Sequence, residues 1–298
     1  METKEIDTYE GYISIPEGKS GDIKVVHVTR PKGTKLSTAN VRCQIMGGQQ
    51  GVTLKYKHES TWHSLQEKGR GVWMTDDPCE QAQMRESIQH LYGEVLVGGL
   101  GLGVVVKMLS EIEEVDSITV VEKSQDVINL VWQPLCSQMD GTETKLEVIC
   151  GDLFEELERF AKEERQFDSA IYDIWQSDGE GTFFDVVIPL RRLSFDVVDD
   201  DVVCWNEDVM RGQLFNGMLS KVQMVYDEKW AKTLGGTCED ALKRLCDSDD
   251  RWINWCEEFF RWVRDERPKK EEAIEEISKF VGMYEIAPNW LKAWKRGC

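Results

Sequence analysis

The sequence predicts an α/β fold built on a doubly wound parallel sheet, and three observations predict it. Short β-branched runs alternate with helix-compatible segments from about residue 93 to residue 205. The first run leads into a glycine-rich turn, Gly98-Gly99-Leu100-Gly101-Leu102-Gly103. The next three runs each end near an acid, at Glu122, Asp152 and Asp173. Apolar residues make up 41% of the 298 residues, enough to bury a core of that size. The expected organisation has three parts: a β-rich region over 1–75, an α/β core over 76–225 and a helical extension over 226–298.

The elements follow in chain order. Tyr12–Ile15 and Ile23–Val28 read as hairpin strands separated by Pro16, Gly18 and Gly21. Val41–Met46, Val52–Tyr56 and Val72–Met74 read as further strands between glycines. Asp77-Pro78-Cys79-Glu80 starts a helix: Asp caps it, Pro suits the first helical position, and Glu can close a capping box. That helix is expected to reach about Leu91 and stop at Gly93. Strands at Val95–Val97, Ile118–Val121, Leu146–Ile149, Ser169–Ile174 and Val202–Trp205 then alternate with helices. The helices open at Val104–Leu109, Asp126–Trp132, Leu153–Phe160 and Phe183–Phe195. Beyond residue 226, Trp252, Trp255, Phe259, Trp262 and Val263 form an amphipathic stripe, as do Ile274, Ile277 and Val281. This part reads as a helical cap or as an aromatic box for a substrate, with breaks at Pro268 and Pro288.

The net charge is −19, from 36 basic and 55 acidic residues. Residues 76–201 hold 9 basic and 29 acidic residues, net −20, and the rest of the chain sums to +1. Such a core repels phosphate backbones and anionic lipid, so neither nucleic acid nor a membrane is an expected partner. A small-molecule or basic substrate suits it, by electrostatic steering. The N-terminal Met-Glu-Thr-Lys-Glu-Ile-Asp has no basic and apolar signal pattern, and the nine cysteines form no C-x-x-C pair. A cytoplasmic location is therefore expected, with reduced thiols and no metal site. His27, His58, His63 and His90 match no carboxylate set that would make them metal ligands.

The glycine turn carries the chemistry. Glycine lets a backbone turn sharply and approach a ligand, and a helix start offers unpaired N–H groups. Dinucleotide folds want G-x-G-x-x-G. Here the third glycine would fall on Val104 or Val106, and a frame opened at Gly98 meets Leu100 second. The spacing that fits is G-x-G-x-G, at Gly99, Gly101 and Gly103. Glu122, about 20 residues on, can accept both hydroxyls of a ribose. Asp173 can accept a proton from a nucleophile, or order a ligand, or cap the next helix. Trp175 and Trp205, at neighbouring strand ends, can wall a pocket or pack the core.

The G-x-G-x-G turn resembles the first motif of class I S-adenosylmethionine-dependent methyltransferases, whose core is Rossmann-like. Val120-Val-Glu-Lys-Ser-Gln-Asp-Val-Ile128 and Tyr172-Asp-Ile174 are similar to the spermidine synthase branch of that superfamily. Trp73-Met-Thr-Asp-Asp-Pro-Cys-Glu80 and Asp173-Ile-Trp175 are closer to the spermidine-synthase-like methyltransferases of bacteria and phages. The resemblance covers about residues 70–206. It implies S-adenosylmethionine as cofactor, held by Gly98, Gly99, Leu100, Gly101, Gly103, Glu122, Lys123, Asp152, Leu153 and Asp173. In it, Asp152 takes the adenine amino group, the Leu153 N–H meets a ring nitrogen, and Asp173 is the catalytic residue. The implied activity is methyl transfer to a small molecule or protein. The alternatives are aminopropyl transfer from decarboxylated S-adenosylmethionine and a non-catalytic binding module. A homo-oligomer is compatible with each. Three departures weigh against polyamine recognition. Gln176 stands where spermidine synthases carry a second acid, Leu102 stands where that branch often has Asp, and Cys79–Arg85 lacks its Tyr-His-Glu signature.

Overall fold

The computed structural model describes residues 3–6, 11–37, 53–139, 144–176, 182–207, 210 and 251–283. The chain divides into two compact units: Met1–Gln176 with Asp196–Trp205, and Ser177–Phe195 with Asn206–Cys298. Residues 1–75 therefore fall in the same unit as the main sheet.

In the first unit, β8 (Gly93–Gly98), β9 (Val115–Glu122), β10 (Lys145–Cys150), β11 (Phe167–Tyr172) and β12 (Val198–Cys204) form one parallel sheet. Its spatial order is β10-β9-β8-β11-β12. Valine and isoleucine dominate these strands because their branched side chains pack well on a sheet covered on both faces. Val95, Val97, Ile118, Val120 and Ile171 are buried together in the main apolar cluster. Helices α1 (Pro78–Ile88), α2 (Val104–Leu109), α3 (Gln125–Ser137) and α4 (Leu153–Lys162) link and flank the strands.

The N-terminal region forms two smaller sheets. An antiparallel sheet runs β2 (Gly18–Ser20), β3 (Ile23–Arg30), β6 (Ser60–Glu67), β7 (Gly71–Thr75), and a three-stranded one runs β1 (Thr3–Ile6), β5 (Thr53–Tyr56), β4 (Lys35–Ser37). β2 meets α3, where the Ser20 hydroxyl donates to Asp126 Oδ1 at 2.6 Å.

Several sequence expectations change. Tyr12–Ile15 is not a strand, although Ile13 and Ile15 are each 1% exposed. Its N–H groups bond to side chains instead: Tyr12 donates to Asp76 at 3.0 Å and Ser14 to Gln138 at 2.8 Å. β6 gave no strand signal, because buried Ser60, His63 and Ser64 sit among its apolar residues. α1 ends at Ile88, and Gly93 opens β8 rather than stopping the helix. Val41–Met46 and Pro288 lie outside the described residues.

The second unit is helical where described. A π-helical turn at Phe183–Val187 runs into α5 (Ile188–Leu193). Then α6 (Arg251–Glu266) and α7 (Lys270–Met283) flank Pro268, the expected break. Phe259, Val263, Ala273 and Ile277 are buried, and the rings of Phe183 and Phe260 meet edge to face at 5.9 Å. Buried Arg191 donates to Glu207 Oε2 from Nη2 at 2.6 Å and from Nε at 3.0 Å. The side chains of Trp252, Trp255, Ile274 and Val281 lie outside the described residues. Among the described residues no helix is long and apolar enough to cross a membrane.

Candidate functional site

Strand order places the site. β8 is flanked by β9 on one side and β11 on the other, so chain direction across the sheet reverses there. Connections leave that point toward opposite faces, which opens a crevice at the carboxyl ends of the strands. Numbered within the sheet, the order is 3-2-1-4-5. The core is Rossmann-like.

Register puts the sequence-predicted residues on this one edge of the Rossmann-like core. Gly98 stands beside Val121 and Tyr172, Glu122 beside Cys150, and Tyr172 beside Cys204. The Asp173 N–H donates to the Gly98 carbonyl at 2.8 Å, and the Trp205 N–H to the Tyr172 carbonyl at 2.9 Å. The glycine turn is required by packing as much as by any ligand. Gly99 has φ 94°, and a Cβ there would meet the Asp173 carbonyl oxygen at 2.4 Å. Gly101 has φ 52°, and a Cβ there would meet the Met74 sulfur at 2.2 Å. Gly103, in the left-handed region, is the N-cap of α2 and supplies no side-chain cap.

Glu122 ties the turn to β9. Its Oε2 accepts the Leu100 N–H at 2.8 Å and its Oε1 accepts the Ser124 N–H at 2.7 Å. A carboxylate has about four acceptor positions, so this leaves room for a diol. Asp152 caps α4 through the Phe154 N–H at 3.0 Å and accepts Lys123 Nζ at 2.8 Å. The Lys123 bond, helped by the Phe154 N–H, holds Asp152 below the usual carboxylate range against a smaller opposing effect of burial. Lys123 itself is 80% exposed, while Leu100 and Leu153 are buried.

The end of β11 differs. Asp173 is partly exposed and makes no side-chain hydrogen bond among the described residues, and burial pushes its pKa up to about 7. Glu80, on α1, is also raised. Burial first, then the charge of Asp77 and more weakly that of Asp173, push Glu80 up to about 8, against the opposing Thr75 N–H bond. The sequence marks Glu80 only as a helix cap. In the structure the Glu80 N–H does bond Asp77 Oδ1 at 3.2 Å, yet its carboxylate reaches past the cap to the Thr75 N–H at 2.8 Å. The signal available was the run of three acids, Asp76, Asp77 and Glu80, just ahead of the glycine turn.

Two indoles complete the edge. Trp175 is 8% exposed, and the buried Nε1 donors of Trp175 and Trp205 have no acceptor among the described residues. An orphaned buried donor is costly, so such atoms mark places where a ligand or water belongs. Gln176 does not face a ligand as an acid would: its Nε2 donates to the Val72 carbonyl of β7 at 2.9 Å. Among the described residues no group of three or more His, Cys, Asp or Glu side chains is placed to hold a metal.

No family model matches the chain, and no curated protein does. Solved structures do. A SAM-dependent methyltransferase from Agrobacterium tumefaciens aligns at 12% identity and TM-score 0.35, over 51% of this chain and 55% of that one. A spermidine synthase in complex with the transition-state analogue AdoDATO aligns at 16% identity and TM-score 0.36, over 51% and 58%. Spermidine synthase from Thermotoga maritima aligns at 15% identity and TM-score 0.34, over 51% and 56%. The chain thus spans just over half the length of these proteins.

Proposed function

We propose that this protein is an S-adenosylmethionine-dependent methyltransferase acting on a small molecule or protein. One observation carries the reading: the Gly99-x-Gly101-x-Gly103 turn, Glu122 and the raised Asp173 carboxyl occupy adjacent strand ends at the switch point. The residues fit the cofactor. Glu122 has acceptor positions left for ribose hydroxyls, Asp152 and Leu153 stand at the next strand end, and the acidic edge suits a sulfonium. The bound cofactor supplies a methyl group already made electrophilic by positive sulfur. The chain must then align a nucleophile, exclude water and take up a proton. Asp173 suits the last task, since a carboxyl near pH 7 can exchange a proton under physiological conditions.

Aminopropyl transfer is the second reading, favoured by the acidic Asp77, Glu80, Asp173 set and opposed by Gln176, whose amide is committed to β7. Calorimetric titration with S-adenosylmethionine, S-adenosylhomocysteine and methylthioadenosine separates the readings. Methyl transfer predicts binding of the first two. A preference for methylthioadenosine turns the assignment to aminopropyl transfer, and binding of none removes both. We infer a basic or small acceptor from the charge pattern and a cytoplasmic setting from the scattered cysteines.

A further inference from the structure

We propose that Trp175 and Trp205 are ligand-binding residues, each indole N–H donating a hydrogen bond to an oxygen of the bound ligand. That oxygen belongs to the carboxylate of the cofactor or to a carbonyl of the acceptor. The inference rests on the ligand-binding edge proposed above and deepens it, because it fixes a chemical feature of what binds there beyond the adenosine.

An indole N–H donates and never accepts. Buried without an acceptor, it has given up its bond to water and gained nothing in return. Trp175 is 8% exposed, and its Nε1 is buried with no acceptor among the described residues. The Trp205 Nε1 is buried in the same state, although the residue as a whole is only partly buried. The two residues follow neighbouring strands. Tyr172 of β11 pairs with Cys204 of β12, and the Trp205 N–H donates to the Tyr172 carbonyl at 2.9 Å. Trp205 therefore leaves β12 level with Asp173 leaving β11.

The backbone that carries these rings is tethered. The Asp173 N–H is bonded to the Gly98 carbonyl at 2.8 Å, and its own carbonyl closes on Gly99, where a Cβ would meet it at 2.4 Å. On the other side of Trp175, Gln176 Nε2 donates to the Val72 carbonyl at 2.9 Å and to that of Arg70 at 3.4 Å. Trp175 sits between two anchors, and Trp205 is anchored through its own N–H. Donors held in this way are set for an incoming acceptor and need little ordering when it arrives.

Strand order shows which part of a ligand is involved. Glu122 ends β9, and Trp205 follows β12, three strands across in the order β9-β8-β11-β12. At about 4.8 Å per strand that is roughly 14 Å. An adenosine held at Glu122 and Asp152 occupies the ends of β9 and β10, so its own oxygens are not the ones met. The amino acid end of the cofactor and the acceptor extend the other way. Lys123, a cation at this edge, is already bonded to Asp152, so neutral donors are needed for a ligand carboxylate. Ammonium groups carry only donors and cannot satisfy an indole N–H. Decarboxylated S-adenosylmethionine and a polyamine hold no oxygen outside the adenosine. Two unmet N–H groups therefore favour methyl transfer over aminopropyl transfer.

The test is proton–nitrogen NMR of the full chain labelled with nitrogen-15 in tryptophan. The two indole resonances are assigned by their loss in Trp175→Phe and Trp205→Phe, or in the Tyr variant where a Phe variant does not fold. In the unliganded chain both are expected at the upfield position of an unbonded indole. A bonded, downfield position there reveals an acceptor or a lodged water within the fold and overturns the inference. S-adenosylhomocysteine is expected to move them downfield, and methylthioadenosine, which lacks the amino acid end, to leave them in place. That pattern assigns the cofactor carboxylate, and Trp175→Phe then weakens S-adenosylhomocysteine by roughly tenfold while leaving methylthioadenosine unchanged. Where S-adenosylhomocysteine moves neither, N-methylacetamide added to the same sample moves them and assigns an acceptor carbonyl. One indole moving supports that residue and removes the other, and no movement with either probe overturns the inference. Absence of S-adenosylhomocysteine binding by calorimetry sinks the proposed reaction, while the N-methylacetamide arm still decides the role of the indoles, so the two fail separately.

Discussion

At the amino edge of the five-stranded sheet, Asp168 accepts the Glu94 N–H at 2.7 Å, Asp200 accepts the Tyr92 hydroxyl at 3.0 Å, and Asp201 lies 2.7 Å from His90 Nε2. At the carboxyl edge, Glu122 and Asp152 are likewise engaged, by backbone N–H groups and a lysine. Among the described residues Asp173 has no such partner, and Glu80 is pushed up by burial and by other acids. The contrast teaches where the acidity of this chain does something besides hold the fold. Paired acids complete strand ends and helix caps. An unpaired, half-buried acid destabilises the folded chain, and it is tolerated where a ligand will use it.

The largest effect that would sharpen this contrast comes from the glycine turn. Gly99→Ala places a Cβ in a left-handed position and against a backbone oxygen. It should cost about 3–5 kcal/mol, summing strain and overpacking, as read by urea unfolding. An unchanged midpoint would mean that the turn and β11 are not packed as described.

Asp173→Asn should have the opposite sign. The carboxyl is raised from 3.8 to about 7 by folding. Between those values the unfolded chain loses its proton first, so stability falls as pH rises and the penalty is complete above pH 7. Removing the acid should therefore stabilise the chain by on the order of 2–4 kcal/mol at pH 8 and by little at pH 4. Equal effects at both pH values would remove the case for a strained acid. Methyl transfer should fall by roughly a hundredfold or more in the same variant.

Glu122→Ala frees the Leu100 and Ser124 N–H groups. A loss of about 1.5–3 kcal/mol is expected, with at least a roughly tenfold weaker S-adenosylmethionine affinity by calorimetry. Unchanged affinity would leave Glu122 as a brace for the turn alone. Smallest is Asp201→Asn at the opposite edge, an exposed pair, where the change should stay within about 0.5 kcal/mol. A large loss there would erase the difference between the edges.

Much of the core was legible. Val104–Leu109 forms a helix over the expected residues, and all five expected runs of the core became parallel strands, because branched apolar runs between glycines leave few other options. Tyr12–Ile15 shows why legibility stops there. Alternating apolar residues report which side chains are buried, and Ile13 and Ile15 are. They do not report what the backbone bonds to, and here Asp76 and Gln138, 64 and 124 residues away, take the N–H groups. β6 failed in the reverse direction: it is a full strand of eight residues whose buried polar side chains hide its period.

The sequence by itself determined the strand and helix alternation, the glycine turn, and the three acids at strand ends, since each depends on local spacing and steric permission. It also confined the net negative charge to residues 76–201. Only the tertiary structure decided which acids are spoken for. Glu122 and Asp152 became anchors, Asp173 has no side-chain hydrogen bond among the described residues, and the Glu80 carboxylate turned from the cap to the Thr75 N–H. The state of a carboxyl depends on its desolvation and on the charges and donors around it, and folding sets these: burial acts on Asp173, and burial, Asp77 and the Thr75 N–H act on Glu80.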